Sequence, residues 1–410
     1  MATVLGIIAE YNPFHNGHLY HLKSSKEYSN ANYTVAIMSG HFTQRGDTSI
    51  VDKWTKAKMA ILNGVDLVIE LPTIYSISSA ENFAYGAIKI LDSLKIVDTI
   101  SFGSESDISI LNEFANILVS EPKEYQSLLN HELGKGLSFP KARENALLMY
   151  LNDIRKYANV LSCSNNILGI EYLKAMKRLK TTISAISVHR ANVGYNDTNI
   201  VNGIASATAI RQMIANRRFL DLRSSVPNSS YEILANSIQT GMYVPSIVKF
   251  EKEILYTFRK MSKEEISLLP DVSEGLESSI KDAANSCNSI VQFVNLVKSK
   301  RHPATRIQRI SLYALLGITK KDMQLSTRVE PYIRVLGLNN KGKELLSAIC
   351  SANPKLNIVT SVKKFMDEKN NNKHQKYLLE KDIFATNVYT LGYEYDSMSN
   401  LDYTKKLVVL

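Results

Sequence analysis

Five short apolar runs near the start of the chain constrain its fold more than any other feature. They cover residues 4–9, 34–38, 66–71, 99–103 and 182–189, and helical stretches such as 54–62 and 81–94 fall between them. Strand, helix and strand in alternation build a parallel sheet, because each crossover returns the chain to the same end. Such a sheet is covered on both faces, so its strands read as near-continuous apolar runs. Crossovers are right-handed. Ligands bind outside the carboxyl ends of the strands. A site is therefore expected on the loops 12–18, 39–46, 72–79, 103–105 and 189–196.

The pattern changes at Val226-Pro227-Asn228-Ser229. Beyond it helices are expected at 244–260, 274–285, 290–300 and 341–351. This predicts an α/β domain over 1–226 and a mainly helical one over 227–410. The polar run 369–376, with Asn370-Asn371-Asn372, reads as a mobile surface loop. With 45% hydrophobic and 21% charged residues the composition is that of a globular protein. Lys and Arg exceed Asp and Glu by 49 to 39, which suits a polyanionic partner. Cys163, Cys287 and Cys350 are too far apart for a zinc motif or a disulfide framework. No run has the length of a membrane span. A cytoplasmic protein is expected.

The chemistry concentrates after the first strand, in Glu10-Tyr11-Asn12-Pro13-Phe14-His15-Asn16-Gly17-His18. Asn12-Pro13 forces a turn, and residues 19–27 read as a helix. A helix N-terminus offers unpaired N–H groups and partial positive charge to a phosphate. Gly17 lets a ligand approach the backbone. Two imidazoles there can donate to oxygens on which negative charge builds. The pattern His-x-Gly-His resembles the signature of the nucleotidyltransferase superfamily, which implies a Rossmann-like domain.

Ser206-Ala207-Thr208-Ala209-Ile210-Arg211 resembles the second nucleotide motif of adenylyltransferases, Ser-x-Thr-x-Ile-Arg. Ser206 or Thr208 can cap a helix whose N-terminus holds phosphates, with Arg211 a turn later. Arg190 follows the fifth strand directly. The glycine-bracketed loop 39–46 is a candidate part of the acceptor or substrate pocket. Lys260-Met261-Ser262-Lys263 matches the flexible-loop signature of class I synthetases, but Ser262 and Glu265 spell a capping box between helices, and we read it as that. The densest basic run holds Lys298, Lys300, Arg301, His302, Arg306 and Arg309, with Tyr313 as a stacking platform for a base.

Taken together, residues 10–19, Phe102-Gly103-Ser104-Glu105, Asn165-Asn166-Ile167-Leu168-Gly169, residues 205–211 and Ser273-Glu274-Gly275-Leu276-Glu277 resemble the bacterial tRNA(Met) cytidine acetate ligase family. The resemblance spans essentially the whole chain. It implies activation of acetate with ATP, as acetyl-adenylate and pyrophosphate. The acetyl group then passes to the wobble cytidine of elongator tRNA(Met), giving N4-acetylcytidine. It places the ATP site on Ile7, Ile8, Ala9, Glu10, Tyr11, Asn12, Pro13, Phe14, His15, Asn16, Gly17, His18, Leu19 and Tyr20. Gly103, Asn165 (with Asn166 beside it as the alternative) and Arg190 complete that site. To these the second motif adds Ser206, Thr208 and Arg211. His15 and His18 are the expected catalytic pair. Mg²⁺ is expected with ATP and without a dedicated protein site. Arg301, Arg306 and Arg309 are the expected tRNA contacts. Two rivals share these features: a small-molecule adenylyl- or cytidylyltransferase, and a tRNA-binding protein without catalysis.

Overall fold

Val4–Ala9 forms β1, the centre of the sheet, and Asn16–Ser29 forms the helix α1 that follows it. The computed structural model describes residues 3–189, 205–216, 218–273, 275–395 and 398–410, with Ile154 described by its backbone alone. β2 is Tyr33–Ser39, α2 is Lys53–Leu62, β3 is Leu67–Leu71, β4 is Thr99–Ser104 and β5 is Ser184–His189. All five run parallel, in the order β5-β4-β1-β2-β3. The five expected strands are thus present, with ends moved by a residue or two.

Side-chain alternation explains why they form a doubly covered sheet. Val35 and Ile37 of β2, with Leu67 and Ile69 of β3, enter one core cluster. Ala36 and Met38, with Val68, enter the other. The first cluster packs beneath the helices Ala80–Ser93 and Ser164–Leu179. The second packs beneath α1, α2 and the helix Ala207–Ala215.

The second half is mostly helical but also extends the sheet. Tyr332–Leu338 (β6) pairs antiparallel with β3, and Asn357–Val359 (β7) and Val408–Val409 (β8) pair with different parts of β6. A buried ionic cluster crosses the same junction. Lys53 Nζ on α2 lies 2.9 Å from both Glu70 of β3 and Asp402 near the C-terminus. The expected helix at 244–260 begins later, as Glu251–Lys260 behind a short 3-10 turn, Ile247–Phe250. Residues 369–376 are not a loop throughout. Asn372 caps the helix Lys373–Thr390 by accepting from the His374 N–H, and Asn371 Nδ2 donates to the Phe365 carbonyl. Asparagines there satisfy helix ends, which composition alone cannot distinguish from solvation.

Candidate active site

The signature turn is built by hydrogen bonds from both sides. Tyr11 has φ +46°, a left-handed conformation that a non-glycine residue adopts only when its surroundings hold it. Asn12 supplies part of that hold: its Oδ1 accepts from Ile50 N–H at 2.7 Å and its Nδ2 donates to Thr48 O at 3.0 Å. Arg211 donates to the Asn12 carbonyl at 3.3 Å and to Thr208 Oγ1 at 3.3 Å.

His15 is the N-cap of α1, and His18 is its reciprocal partner. Nδ1 of His15 accepts from the Gly17 N–H at 3.1 Å, while Nδ1 of His18 accepts from the His15 N–H at 3.3 Å. This is a capping box made with two imidazoles. An Nδ1 that accepts a backbone N–H carries no proton, so each neutral ring carries its hydrogen on Nε2 and donates from there. The rings stack with centroids 3.7 Å apart. Tyr11 and Phe14 flank His18 at 5.0 and 5.7 Å, fixing its plane.

Both histidines line a cleft of about 470 Å³ at the carboxyl ends of the strands, a size suited to a small-molecule ligand. Residues 7–12, Gly17, Tyr20, Gly103, Asn165 and Ser206 line it as well. Ser206 caps the helix Ala207–Ala215 by accepting from the Ala209 N–H at 3.0 Å. A second helix N-terminus is thus presented to the same cleft. Pro13, Phe14, Asn16, Leu19, Thr208 and Arg211 do not line it. Phe14 is buried, and Asn16 Nδ2 donates to Ser224 O at 2.9 Å. The adjacent asparagines separate cleanly. Asn166 is buried, accepts from the N–H groups of Glu105 and Ser106 at 2.9 and 3.1 Å, and so shapes the loop after β4. Asn165 faces the cleft and donates to Glu105 Oε1 at 2.5 Å. Arg190 and Glu274 lie outside the described residues.

The loop 39–46 contributes Gln44 and Arg45 to the cleft wall, with the Gln44 N–H donating to Glu10 Oε1 at 2.8 Å. Opposite the sheet, the helix Ala304–Leu316 contributes Thr305 and Arg309. Arg309 Nε donates to Asp271 Oδ2 at 3.0 Å. Arg306 donates twice to the Asp271 carbonyl and once to Ser273 Oγ, whereas Arg301 is exposed. Tyr313 is buried in the core and is no stacking platform. Residues 72–78, which include the short helix Thr73–Ser76, are buried, and none of residues 72–79 lines this cleft. Sequence reasoning missed Phe83, Tyr172 and Thr305 as lining residues, because distant helices deliver them. Ser262 and Glu265 form the expected capping box, with bonds of 3.2 and 2.8 Å. Among the described residues no group of three or more His, Cys, Asp or Glu side chains is placed to hold a metal ion. No described helix is long and apolar enough to cross a membrane.

The HIGH Nucleotidyl Transferase family matches residues 1–403. A tRNA(Met) cytidine acetate ligase from Thermoanaerobacter sp. (strain X514) is 44% identical over 408 residues, covering 99% of this chain and all of the relative. One from Acetivibrio thermocellus is 42% identical over 99% of this chain and all of the relative. The crystal structure of Thermotoga maritima TmcAL bound with alpha-thio ATP superposes with a TM-score of 0.92 at 34% identity, covering 100% of this chain and 99% of that one.

Proposed function

The chain belongs to the tRNA(Met) cytidine acetate ligase family of HIGH nucleotidyl transferases, and on that footing we propose that it activates acetate with ATP and acetylates the wobble cytidine of elongator tRNA(Met). It is an ATP-binding ligase of the cytoplasm. The observation that carries the reading is the stacked pair His15–His18, capping α1 through both Nδ1 atoms, in a cleft that a second capped helix also lines.

The chemistry needs no nucleophile from the protein. An acetate oxygen attacks the α-phosphorus of ATP, a P–O bond forms, and the bond to the bridging oxygen breaks. Pyrophosphate leaves with the electron pair. His15, His18 and the two helix N-termini stabilise the charge that collects on it. The cytidine N4 amine then attacks the acetyl carbonyl, AMP departs, and the amine loses a proton. The adenosine lies along Gly103 and Asn165, with Ser206 at the phosphates. Mg²⁺ carried by the nucleotide's own phosphates would neutralise part of their charge. Arg190, Thr208 and Arg211 support the same phosphates, the last two through the turn and helix they brace. The wobble base must leave its stack to bring its amine into the cleft. In this division of labour residues 1–226 bind ATP. Residues 227–410 hold the tRNA, with Arg301 on its backbone and with Arg306 and Arg309 fixing the Asp271 loop beside the cleft.

The test is acetate-dependent exchange of labelled pyrophosphate into ATP, without and with tRNA. Exchange that requires acetate establishes carboxylate adenylation. ATP binding without exchange under either condition refutes it and favours one of the two rival readings.

A further inference from the structure

Lys56 on α2 is wholly buried, and the chemistry above gives it no task. Its Nζ donates to the Glu10 carbonyl at 3.0 Å, the Ser39 carbonyl at 2.8 Å and Ser49 Oγ at 2.8 Å. Three acceptors match the three hydrogens of an ammonium group. Two of them mark one structural point. Ser39 ends β2, Glu10 follows the last residue of β1, and the two strands pair in register up to Ala9 and Met38. At that point β1 leaves the sheet for the signature turn and β2 leaves it for the loop that carries Gln44 and Arg45. The next residue along from Glu10 is Tyr11, with its left-handed backbone.

All three acceptors are neutral, and no carboxylate among the described residues pairs directly with the ammonium. That is a costly arrangement for a purely structural pin. We infer that Lys56 is the positioning residue of the adenylation site: its ammonium fixes the ends of β1 and β2 together, and so sets where His15 and His18 stand relative to the Gln44–Arg45 wall. The inference rests on the reading of this cleft as an adenylation site. Burial lowers the lysine's pKa to about 7, against the pull of Glu10 from the signature, Glu70 of β3 and Asp52 at the helix cap; neighbouring Lys53 lowers it further. His41, on the loop after β2, is itself held neutral by burial and by the charges of Lys53 and Lys56. Polyphosphate arriving in the cleft favours the ammonium form.

The experiment follows acetate-dependent exchange across pH in the full-length wild type, Lys56→Gln and Lys56→Arg. In the wild type kcat falls on the alkaline side, as the amine loses its proton and one of its three bonds. Lys56→Gln lowers kcat by about 100-fold, the scale of an ångström-level misplacement, leaves KM for ATP nearly unchanged and loses the alkaline limb. Lys56→Arg restores part of kcat without that limb. A Lys56→Gln enzyme with wild-type kcat, or with the limb intact, overturns the proposal. Should Lys56→Gln not fold, Ser49→Ala removes one of the three acceptors, together with the hydroxyl's bond to the Gly40 carbonyl. It lowers kcat and moves the limb to lower pH, and unchanged values for both overturn the proposal. Calorimetry of ATP binding in two buffers of different ionisation enthalpy separates this from the reading beneath it. At about pH 8 the wild type takes up a proton that Lys56→Gln does not, whatever reaction follows, and equal uptake by the two proteins overturns the role of Lys56. Exchange absent from the wild type would instead refute the adenylation reading.

Discussion

At the scale of single residues, two histidines do three things at once. They cap α1, fix each other's tautomer through backbone N–H groups, and stack so that neither ring turns independently. His18→Ala removes the acceptor of the His15 N–H as well as the proposed donor to the leaving group. It is expected to lower acetate-dependent exchange by about 10²–10³-fold, with tRNA affinity, measured by filter binding, nearly unchanged. The asparagine pair gives a sharper contrast. Asn166→Ala strips the N–H groups of Glu105 and Ser106 of their acceptor and should cost about 1–3 kcal/mol in denaturant unfolding. Asn165→Ala should leave that stability nearly unchanged and raise KM for ATP. The sequence shows two identical side chains in one helix's first turn, where either reads as a cap. Only the chain folding back on the loop after β4 tells which one faces inward.

At the scale of elements, legibility tracks how local the cause is. The parallel strands were readable because a strand buried on both faces has nothing but apolar residues to use, as Val35–Met38 show. β6 was not readable. It carries Arg334, whose charge is absorbed by Asp402 at 3.5 Å from a segment far along the chain. β7 and β8, with three and two residues, are too short to leave a pattern. The site divides in the same way. The signature strand, turn and helix are contiguous, so their role was visible. The far wall, with Phe83, Tyr172 and Thr305, is assembled by packing. Gly46 shows how tight that packing is. It has φ +78°, and a Cβ there would sit 2.5 Å from the Arg309 backbone nitrogen. The hairpin-like loop that presents Gln44 and Arg45 therefore rests directly on the helix Ala304–Leu316. Gly46→Ala is expected to cost about 1–2 kcal/mol from backbone strain alone. It should also lift the loop from the helix, raising KM for ATP and acetate in the exchange assay. A variant as stable and active as the wild type would mean that the contact is not needed.

At the scale of the whole molecule, the halves are joined by more than a linker. β6 extends the sheet of the first half, and Lys53 shares its ammonium between Glu70 of that sheet and Asp402 of the last turns. Burial of three charged groups there ties the two halves into one set of contacts, and the cleft takes walls from both. This bears on where RNA must lie. Lys298, Lys300 and Arg301 are exposed on the segment that leads into the helix Ala304–Leu316, and Thr305 of that helix lines the cleft. Thr305 is four residue steps from Arg301, which limits the distance between their Cα atoms to about 14 Å. Phosphates of an anticodon loop resting on Arg301 thus stand within reach of a base turned into the cleft. Arg306 is a poor probe of that surface, since Asp271 and Ser273 hold its guanidinium and its loss would disturb the cleft wall. Arg301→Glu is the cleaner probe. It should weaken tRNA binding and reduce the slope of log affinity against log salt by about one or more. Exchange measured without tRNA should stay at the wild-type rate, because no atom of the cleft moves. Unchanged tRNA affinity and salt slope would place the RNA on another face, and a fall in tRNA-free exchange would show that Arg301 acts on the fold rather than on the RNA.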